Sequence, residues 1–274
     1  MKKKILIIGK HSFIGSNLFD FFKNKKLNVY ISSNQNFLNN YKKKYYNFDF
    51  VINCSSNKEF VEKKYQVKND SNLTIAKKII NTNTKLIILS SRKVYKPKFN
   101  TKEFDEEKPN CNYSRNKLLS EISVKNVLLN RVLIFRISNI IGIPNKKKRK
   151  LHNSFSDIFF KMAKLGYVYN NKKIYKDFIS IKKFCEITYK LLKKNSFGLY
   201  NVSVGKKVYL SKIIAWLNFY NPNTISFIKP KNSFNDECFT LNNNKLMQKI
   251  RIKNNLQELK NECLAISKKF FLKK

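Results

Sequence analysis

The sequence predicts an α/β fold built on a doubly wound parallel sheet. Three observations carry that expectation: short apolar runs without polar alternation, helical stretches between them, and a Gly-marked turn where the first run gives way to a helix. The 274 residues suffice for one large domain or two modest ones with a substantial core.

Residues 4–9, KILIIG, read as a strand, and SNLFDFFKNKK (16–26) sets Leu18, Phe21 and Phe22 on one helical face. LNVYISS (27–33) is a second strand and FDFVINCSS (48–56) a third buried run. KNDSNLTIAKKII (68–80) is helical, with Leu73, Ile75, Ala76, Ile79 and Ile80 apolar, and KLIILSS (85–91) is again a strand. NYSRNKLLSEISVKNVL (112–128) is a helix and VLIFRISNIIG (132–142) the next strand. After Gly142 the character changes: IPNKKKRKLHNS (143–154) reads as a basic loop, followed by a helix near 155–165 and a strand-like patch near 166–174. A helix over 181–194, a strand over 198–204 and a helix over 210–220 come next, with Trp216 as a core anchor. There is no internal repeat and no linker rich in Gly, Pro or Ser. Residues 1–142 are therefore expected to form the core, and 143–274 to complete it and add a small cap that does not fold independently.

Lys+Arg number 57 against 17 Asp+Glu, a formal net charge of +40. Nearly all of the surplus is Lys, scattered along the chain, with its densest run KKKRK at 146–150. Lys, Asn, Ile, Tyr and Phe are inflated together, as expected of A+T-biased coding, so composition rather than a nucleic-acid partner accounts for the charge. The same field suits an anionic small molecule. A hydrophobic content of 42% excludes a disordered basic tail, and 6 Gly with 5 Pro exclude collagen-like sequence. No run approaches the roughly 18 apolar residues of a membrane helix. The stretch from Ile5 to Gly9 is too short for a signal core, so a cytoplasmic protein is expected. Cys54, Cys111, Cys185, Cys238 and Cys263 contain no CxxC pair, and only His11 and His152, both read as turn residues, could join them. Neither a metal site nor a disulfide framework is supported.

The first turn reads Gly9-Lys10-His11-Ser12-Phe13-Ile14-Gly15. Such a turn lets a pyrophosphate approach backbone N–H groups at a helix N-terminus, and Gly15 permits close helix–strand packing. Ser12 stands where such turns usually carry Gly, which costs room and offers a hydroxyl to phosphate. GKHSFIGSNL resembles the GxxGFIGxxL turn of the extended short-chain dehydrogenase/reductase family, the NAD-dependent epimerase/dehydratase group acting on nucleotide sugars. The resemblance continues in order: VINCSS, LIILSSRKVY with the SSxxVY strand, YSRNK with YxxxK, FRISNIIG with RxxNvyG, YKDFISI with RDFIxV, GLYNVSVG with GxyNvgsG, and FTLNNNKLMQKI before the last helices. It implies a Rossmann-like NAD(P)-binding core over 1–142 and a small C-terminal substrate-binding cap within 143–274.

YxxxK occurs at Tyr113/Lys117, Tyr169/Lys173 and Tyr189/Lys193, so position decides. Only Tyr113 follows the SSxxVY strand and opens the next helix. Spacing i to i+4 stacks phenol and amine on one face, and an ammonium beside a phenol favours the phenolate. The resemblance implies Ser91, Tyr113 and Lys117 as catalytic residues, with Ser90 the one-residue alternative to Ser91. Without the flanking motifs, Tyr113 would merely open a helix and Ser91 end a strand. The implied cofactor contacts are Gly9, Ser12, Phe13, Ile14, Gly15, Ser32, Ser33, Cys54 and Ser55, with Tyr113 and Lys117. The substrate contacts are Ser91 and Asn139, although an Asn can simply close a strand. Ser32, Ser33 and Asn34 offer no acid for an NAD ribose, a lean toward NADP. Lys176 stands where the family often has Arg, and Lys182 and Lys183 replace an acidic pair, so no role is assigned there. The expected function is reduction of a keto group on a nucleotide-linked sugar, with Tyr113 donating the proton; the short chain, with its small cap, favours it. The alternatives are a nucleotide-sugar epimerase using the same residues and a non-catalytic dinucleotide-binding regulator. Dehydration is disfavoured, because Arg92 and Lys93 follow Ser91 where an acid pair would be needed. Family members often dimerise through the YxxxK helix and its neighbour, so a homodimer is a further expectation.

Overall fold

The computed structural model describes residues 3–44, 47–143, 162–163, 165–169, 174–222, 225–228, 238–252 and 255–270. Its strands are β1 (Lys4–Ile8), β2 (Asn28–Ser32), β3 (Phe50–Asn53), β4 (Lys85–Ser91), β5 (Val132–Ile137) and β6 (Asn139–Ile141). They continue with β7 (Tyr167–Tyr169), β8 (Tyr175–Lys176), β9 (Phe178–Ser180), β10 (Gly198–Val202), β11 (Val208–Tyr209) and β12 (Ser226–Ile228). The helices are α1 (Phe13–Asn24), α2 (Asn34–Lys44), α3 (Lys58–Glu62), α4 (Ser71–Lys78), α5 (Asn112–Leu128), α6 (Ile181–Lys193), α7 (Leu210–Leu217), α8 (Asn244–Ile250) and α9 (Gln257–Phe270).

Six strands form one parallel sheet in the order β10-β5-β4-β3-β1-β2. Alternation along each strand divides the core in two. Ile5 and Ile7 face Leu18, Phe22 and Phe184 of α1 and α6, whereas Leu6 and Ile8 face Phe37, Leu73 and Val124 of α2, α4 and α5. Both faces are covered, which is why the strand sequences are continuously apolar. A third cluster, with Ile141, Phe178, Val208, Trp216 and Cys263, gathers β6, β9, β11, α7 and α9 beside the sheet. The strand order turns at β1, with β2 on one side and β3 on the other. That is the switch point at which open α/β sheets receive ligands.

The helix expected over 112–128 is α5, residue for residue. The single strand expected over 132–142 is two, because beyond Ile137 the chain leaves β4 and β10 and β6 pairs with β9 instead. α2 carries few apolar residues, but Phe37 and Tyr41, one turn apart, are both buried. KKKRK, His152 and most of the helix expected near 155–165 lie outside the described residues.

α5 is fixed to the sheet by charge as well as packing. Arg136 on β5 has no exposed surface, and its Nε donates to both Glu121 carboxylate oxygens at 3.1 Å. Its Nη2 donates to Glu121 at 2.6 Å and also to Glu107, and the Ser90 hydroxyl on β4 donates to Glu121 as well. Removing one member of such a buried pair leaves the other uncompensated. Glu121→Ala is expected to lower the unfolding free energy by about 3–5 kcal/mol, measured by urea denaturation; a loss below about 1 kcal/mol would show that Glu107 alone neutralises the guanidinium.

Candidate functional site

The site lies along the C-terminal ends of β1 to β5. Gly9 leaves β1 at φ +120°, a conformation that favours glycine. Its N–H donates to the Ser32 carbonyl at 2.8 Å, and the Lys10 N–H does so at 3.1 Å, tying the turn to the end of β2. The Ser12 hydroxyl donates to the Gly9 carbonyl at 2.9 Å and accepts from the Gly15 N–H at 2.9 Å. It is thus the N-cap of α1, and the hydroxyl that the sequence offers to phosphate bonds inside the turn. A Cβ on Gly15 would lie 2.5 Å from the Gly9 oxygen, and one on Gly9 would lie 2.9 Å from the Cys54 carbonyl carbon. The loops after β1 and β3 therefore touch at the switch point. Phe13 and Ile14 open α1 and pack against the core.

At the end of β2, the Ser32 hydroxyl accepts from the Asn36 side-chain amide at 3.0 Å, and the Ser33 hydroxyl accepts from the Asn36 N–H at 3.1 Å. Ser32 ends β2, and Ser33 immediately precedes α2. After β3, Cys54 is half-buried, and desolvation pushes its thiol up against the opposing pull of the Lys117 ammonium. Its neighbour Ser55 donates its hydroxyl to Asn53 Oδ1 at 2.6 Å, and Asn53 Nδ2 donates to Asn72 Oδ1 at 2.6 Å. Asn72 in turn donates to Ser120 of α5 at 3.0 Å, so side chains link the end of β3 to α4 and α5.

Lys117 is 8% exposed, and its Nζ donates to the Leu89 carbonyl of β4 at 2.7 Å. The same Nζ lies 5.7 Å from the Tyr113 ring centroid and 5.6 Å from that of Phe60. Tyr113 and Lys117 thus share a face of α5, with Lys117 bonded two residues before Ser91. Ser91 ends β4, its hydroxyl accepting from the Lys93 N–H at 3.2 Å. Ser90 points the other way, to Glu121. Asn139 donates its side-chain N–H to the Asp177 carbonyl at 3.1 Å, which joins β6 to the start of β9.

Asp177, to which the sequence pattern assigns no role, is buried. Its carboxylate accepts from the Leu241 N–H at 2.9 Å and from the Gly205 N–H at 3.1 Å. Burial pushes this carboxyl up to about 7, against those donors and the Ser203 hydroxyl. It was the only acid in a basic stretch, which was the available signal. Lys183 is ion-paired to Glu186 at 2.9 Å and Glu258 at 3.1 Å, so it carries its own acids from α6 and α9. Arg92 stacks on Phe239, 3.9 Å from the ring centroid. Among the described residues no group of three or more His, Cys, Asp or Glu could hold a metal ion, and no helix is long and apolar enough to cross a membrane.

The family model described as the RmlD substrate binding domain matches residues 2–166. No curated protein sequence matches the chain. Among solved structures, the UDP-N-acetylglucosamine 4-epimerase from Methanobrevibacter ruminantium M1, in complex with UDP-N-acetylmuramic acid, aligns over 99% of both chains at 18% identity and a TM-score of 0.82. The dTDP-glucose 4,6-dehydratase from Bacillus anthracis, in complex with NAD, aligns over 97% of both at 15% identity and 0.74. RMD from Pseudomonas aeruginosa, complexed with NADPH, aligns over 97% of this chain and 98% of its own at 15% identity and 0.76. These likenesses establish the fold.

The turn is closed by contacts that leave no room for a methyl group at its last glycine. Gly15→Ala is expected to cost about 1–3 kcal/mol, seen as a fall in Tm by differential scanning calorimetry. An unchanged Tm would mean that the turn relaxes around the added carbon.

Proposed function

Because the chain belongs to the RmlD substrate-binding domain family and has the fold of the extended short-chain dehydrogenase/reductase enzymes, we propose that it is an NAD(P)-dependent oxidoreductase of nucleotide-linked sugars. The reaction that the site supports best is reduction of a keto group on the sugar. One observation carries it: the Lys117 ammonium, bonded to β4 at 2.7 Å, lies 5.7 Å from the Tyr113 ring at the strand ends beside the switch point.

The residues fit a dinucleotide. The two glycines bring the β1 turn against the β3 loop, and the N-terminus of α1 opens there. Gly9, Ser12, Phe13, Ile14 and Gly15 would hold the diphosphate, Ser32 and Ser33 the adenosine ribose, and Cys54 and Ser55 the floor beneath it. Tyr113 and Lys117 would hold the nicotinamide ribose. When bound, the nicotinamide supplies the hydride. The chain supplies the proton: the Tyr113 phenol gives it to the sugar oxygen, which the Ser91 hydroxyl holds. The Lys117 ammonium stabilises the phenolate left behind. Asn139 is the further substrate contact, offering what its backbone link leaves free. No acid stands at the end of β2, and the Lys10 backbone is bonded there, so the 2′-phosphate of NADP is the better fit. A formal charge of +40 favours arrival of a nucleotide diphosphate.

Residues 1–142 would carry the cofactor, while 143–274 add β10 to the sheet and contribute the cap. Leu119 and Ile122, 42% and 46% exposed on α5, suit the homodimer. The full-length alignment with the UDP-N-acetylglucosamine 4-epimerase favours a second reading, epimerisation. There Tyr113 first takes a hydroxyl proton and later returns it, with no net use of cofactor.

A panel of nucleotide sugars and their 4-keto forms, followed by absorbance of the reduced nicotinamide, separates the two. Reduction consumes one reduced cofactor per turnover and epimerisation none. Tyr113→Phe is expected to lower kcat by roughly 100-fold or more while cofactor binding stays within about twofold. Equal turnover in the variant would remove the proposed acid. With wild-type enzyme, kcat/KM for NADPH is expected to exceed that for NADH by about tenfold, since each 1.4 kcal/mol of contact is a factor of ten; a preference for NADH would reverse the cofactor assignment.

A further inference from the structure

α3 is five residues long and ends in carbonyls that no helical N–H can reach. Two asparagines of α5 take them. Asn116 Nδ2 donates to the Phe60 carbonyl at 2.7 Å and to that of Lys63 at 2.8 Å, and Asn112 Nδ2 donates to that of Glu62 at 2.9 Å. Asn112 and Asn116 are spaced i, i+4, and each immediately precedes one member of the Tyr113/Lys117 pair. From the other side, Asn57 Oδ1 accepts the Phe60 N–H at 2.6 Å, and Asn57 Nδ2 donates to the Asn69 carbonyl at 3.1 Å. Both polar backbone groups of Phe60 are thus held by side chains.

The consequence lies in where the ring goes. Phe60 is 5% exposed, and Lys117 Nζ lies 5.6 Å from its centroid. The Leu89 carbonyl bounds the ammonium on a second side and the Tyr113 ring on a third. An aromatic face attracts a cation and does nothing for a neutral amine. A lysine chain has four rotatable bonds, and a single carbonyl cannot fix it. We infer that Phe60 is a positioning residue for Lys117: its ring, locked in place by Asn57 and Asn116, holds the ammonium beside the phenol. The inference rests on the reading of Tyr113 and Lys117 as the reacting pair. It explains why a short polar helix is anchored to the turn of α5 that carries them.

The test compares wild type with Phe60→Leu, Phe60→Met and Phe60→Tyr. The measurements are NAD(P) affinity by titration calorimetry, kcat and sugar KM, the pH profile of kcat, and Tm. Losing the ring face is expected to weaken cofactor binding about 3- to 10-fold and lower kcat by a similar factor. The alkaline limb of the kcat profile moves to higher pH, and sugar KM stays within about twofold, because the described ring contacts of Phe60 are Lys117 and Tyr65, neither of them a proposed sugar contact. Phe60→Tyr, which keeps the face, restores all of these. Phe60→Met keeps the bulk, so a deficit in it with wild-type Tm separates positioning from packing. Unchanged cofactor affinity and pH profile in both ring-less variants, or failure of Phe60→Tyr to rescue, would overturn the inference while leaving the enzyme reading intact. A wild-type protein that binds no NAD(P) would overturn both.

Discussion

A guanidinium without solvent must be neutralised where it lies, and the position of Arg136 therefore dictates the position of α5. Glu121 meets it from the helix, and Ser90 reaches the same carboxylate from the neighbouring strand. One carboxylate thus fixes the helix against two strands, in height and in rotation. Tyr113, Lys117 and Glu121 are spaced i, i+4, i+8, on one face. Going up α5 by one turn, about 5.4 Å, brings Lys117 over β4, where its ammonium bonds the Leu89 carbonyl. Another turn brings Tyr113, whose ring lies 5.7 Å from the Lys117 ammonium. The proposed reacting pair is set by a salt bridge that lies outside it.

The same logic explains which features were legible in the sequence. Strands buried on both faces leave no polar alternation, so β1, β3, β4 and β5 stood out as apolar runs. α5 was legible to its ends because the YxxxK motif opens it, even though its buried face is largely polar, with Ser114, Asn116, Lys117, Ser120 and Glu121. The break between β5 and β6 was not, since Ser138 and Asn139 lie in an otherwise apolar run and only the change of pairing partner reveals it. α2 was hidden by Asn and Lys, which conceal the two buried aromatics that hold it. Spacing prefers Ser91, three residues before Val94, with Ser90 as the one-residue alternative. Alternation separates them, because consecutive residues of β4 face opposite sides and only Ser90 meets Glu121.

Charge was the least informative feature of the composition and is informative in its distribution. Two buried basic side chains are accompanied by acids: Arg136 by Glu121 and Glu107, Lys183 by Glu186 and Glu258. Lys117 is held differently. Its described partners are a carbonyl and two rings, with a thiol nearby that burial keeps protonated. A carboxylate there would quench the field that favours a phenolate. Neutral but polarisable neighbours retain the cation and leave its charge acting on the phenol.

Ser12 shows what a departure from a motif costs when its geometry is known. Its φ of −79° and ψ of 150° are open to any residue, so glycine is not required by the backbone. The side chain folds inward and closes the turn with two hydrogen bonds, both to the glycines that flank it. Room for a diphosphate then depends on Gly9 and Gly15, where added carbons would meet backbone, and not on the middle position. The substitution converts a flexible link into a cap. A turn fixed before the ligand arrives loses less entropy on binding, so the serine, which as a sequence feature looked like a defect in the cradle, is better understood as its brace.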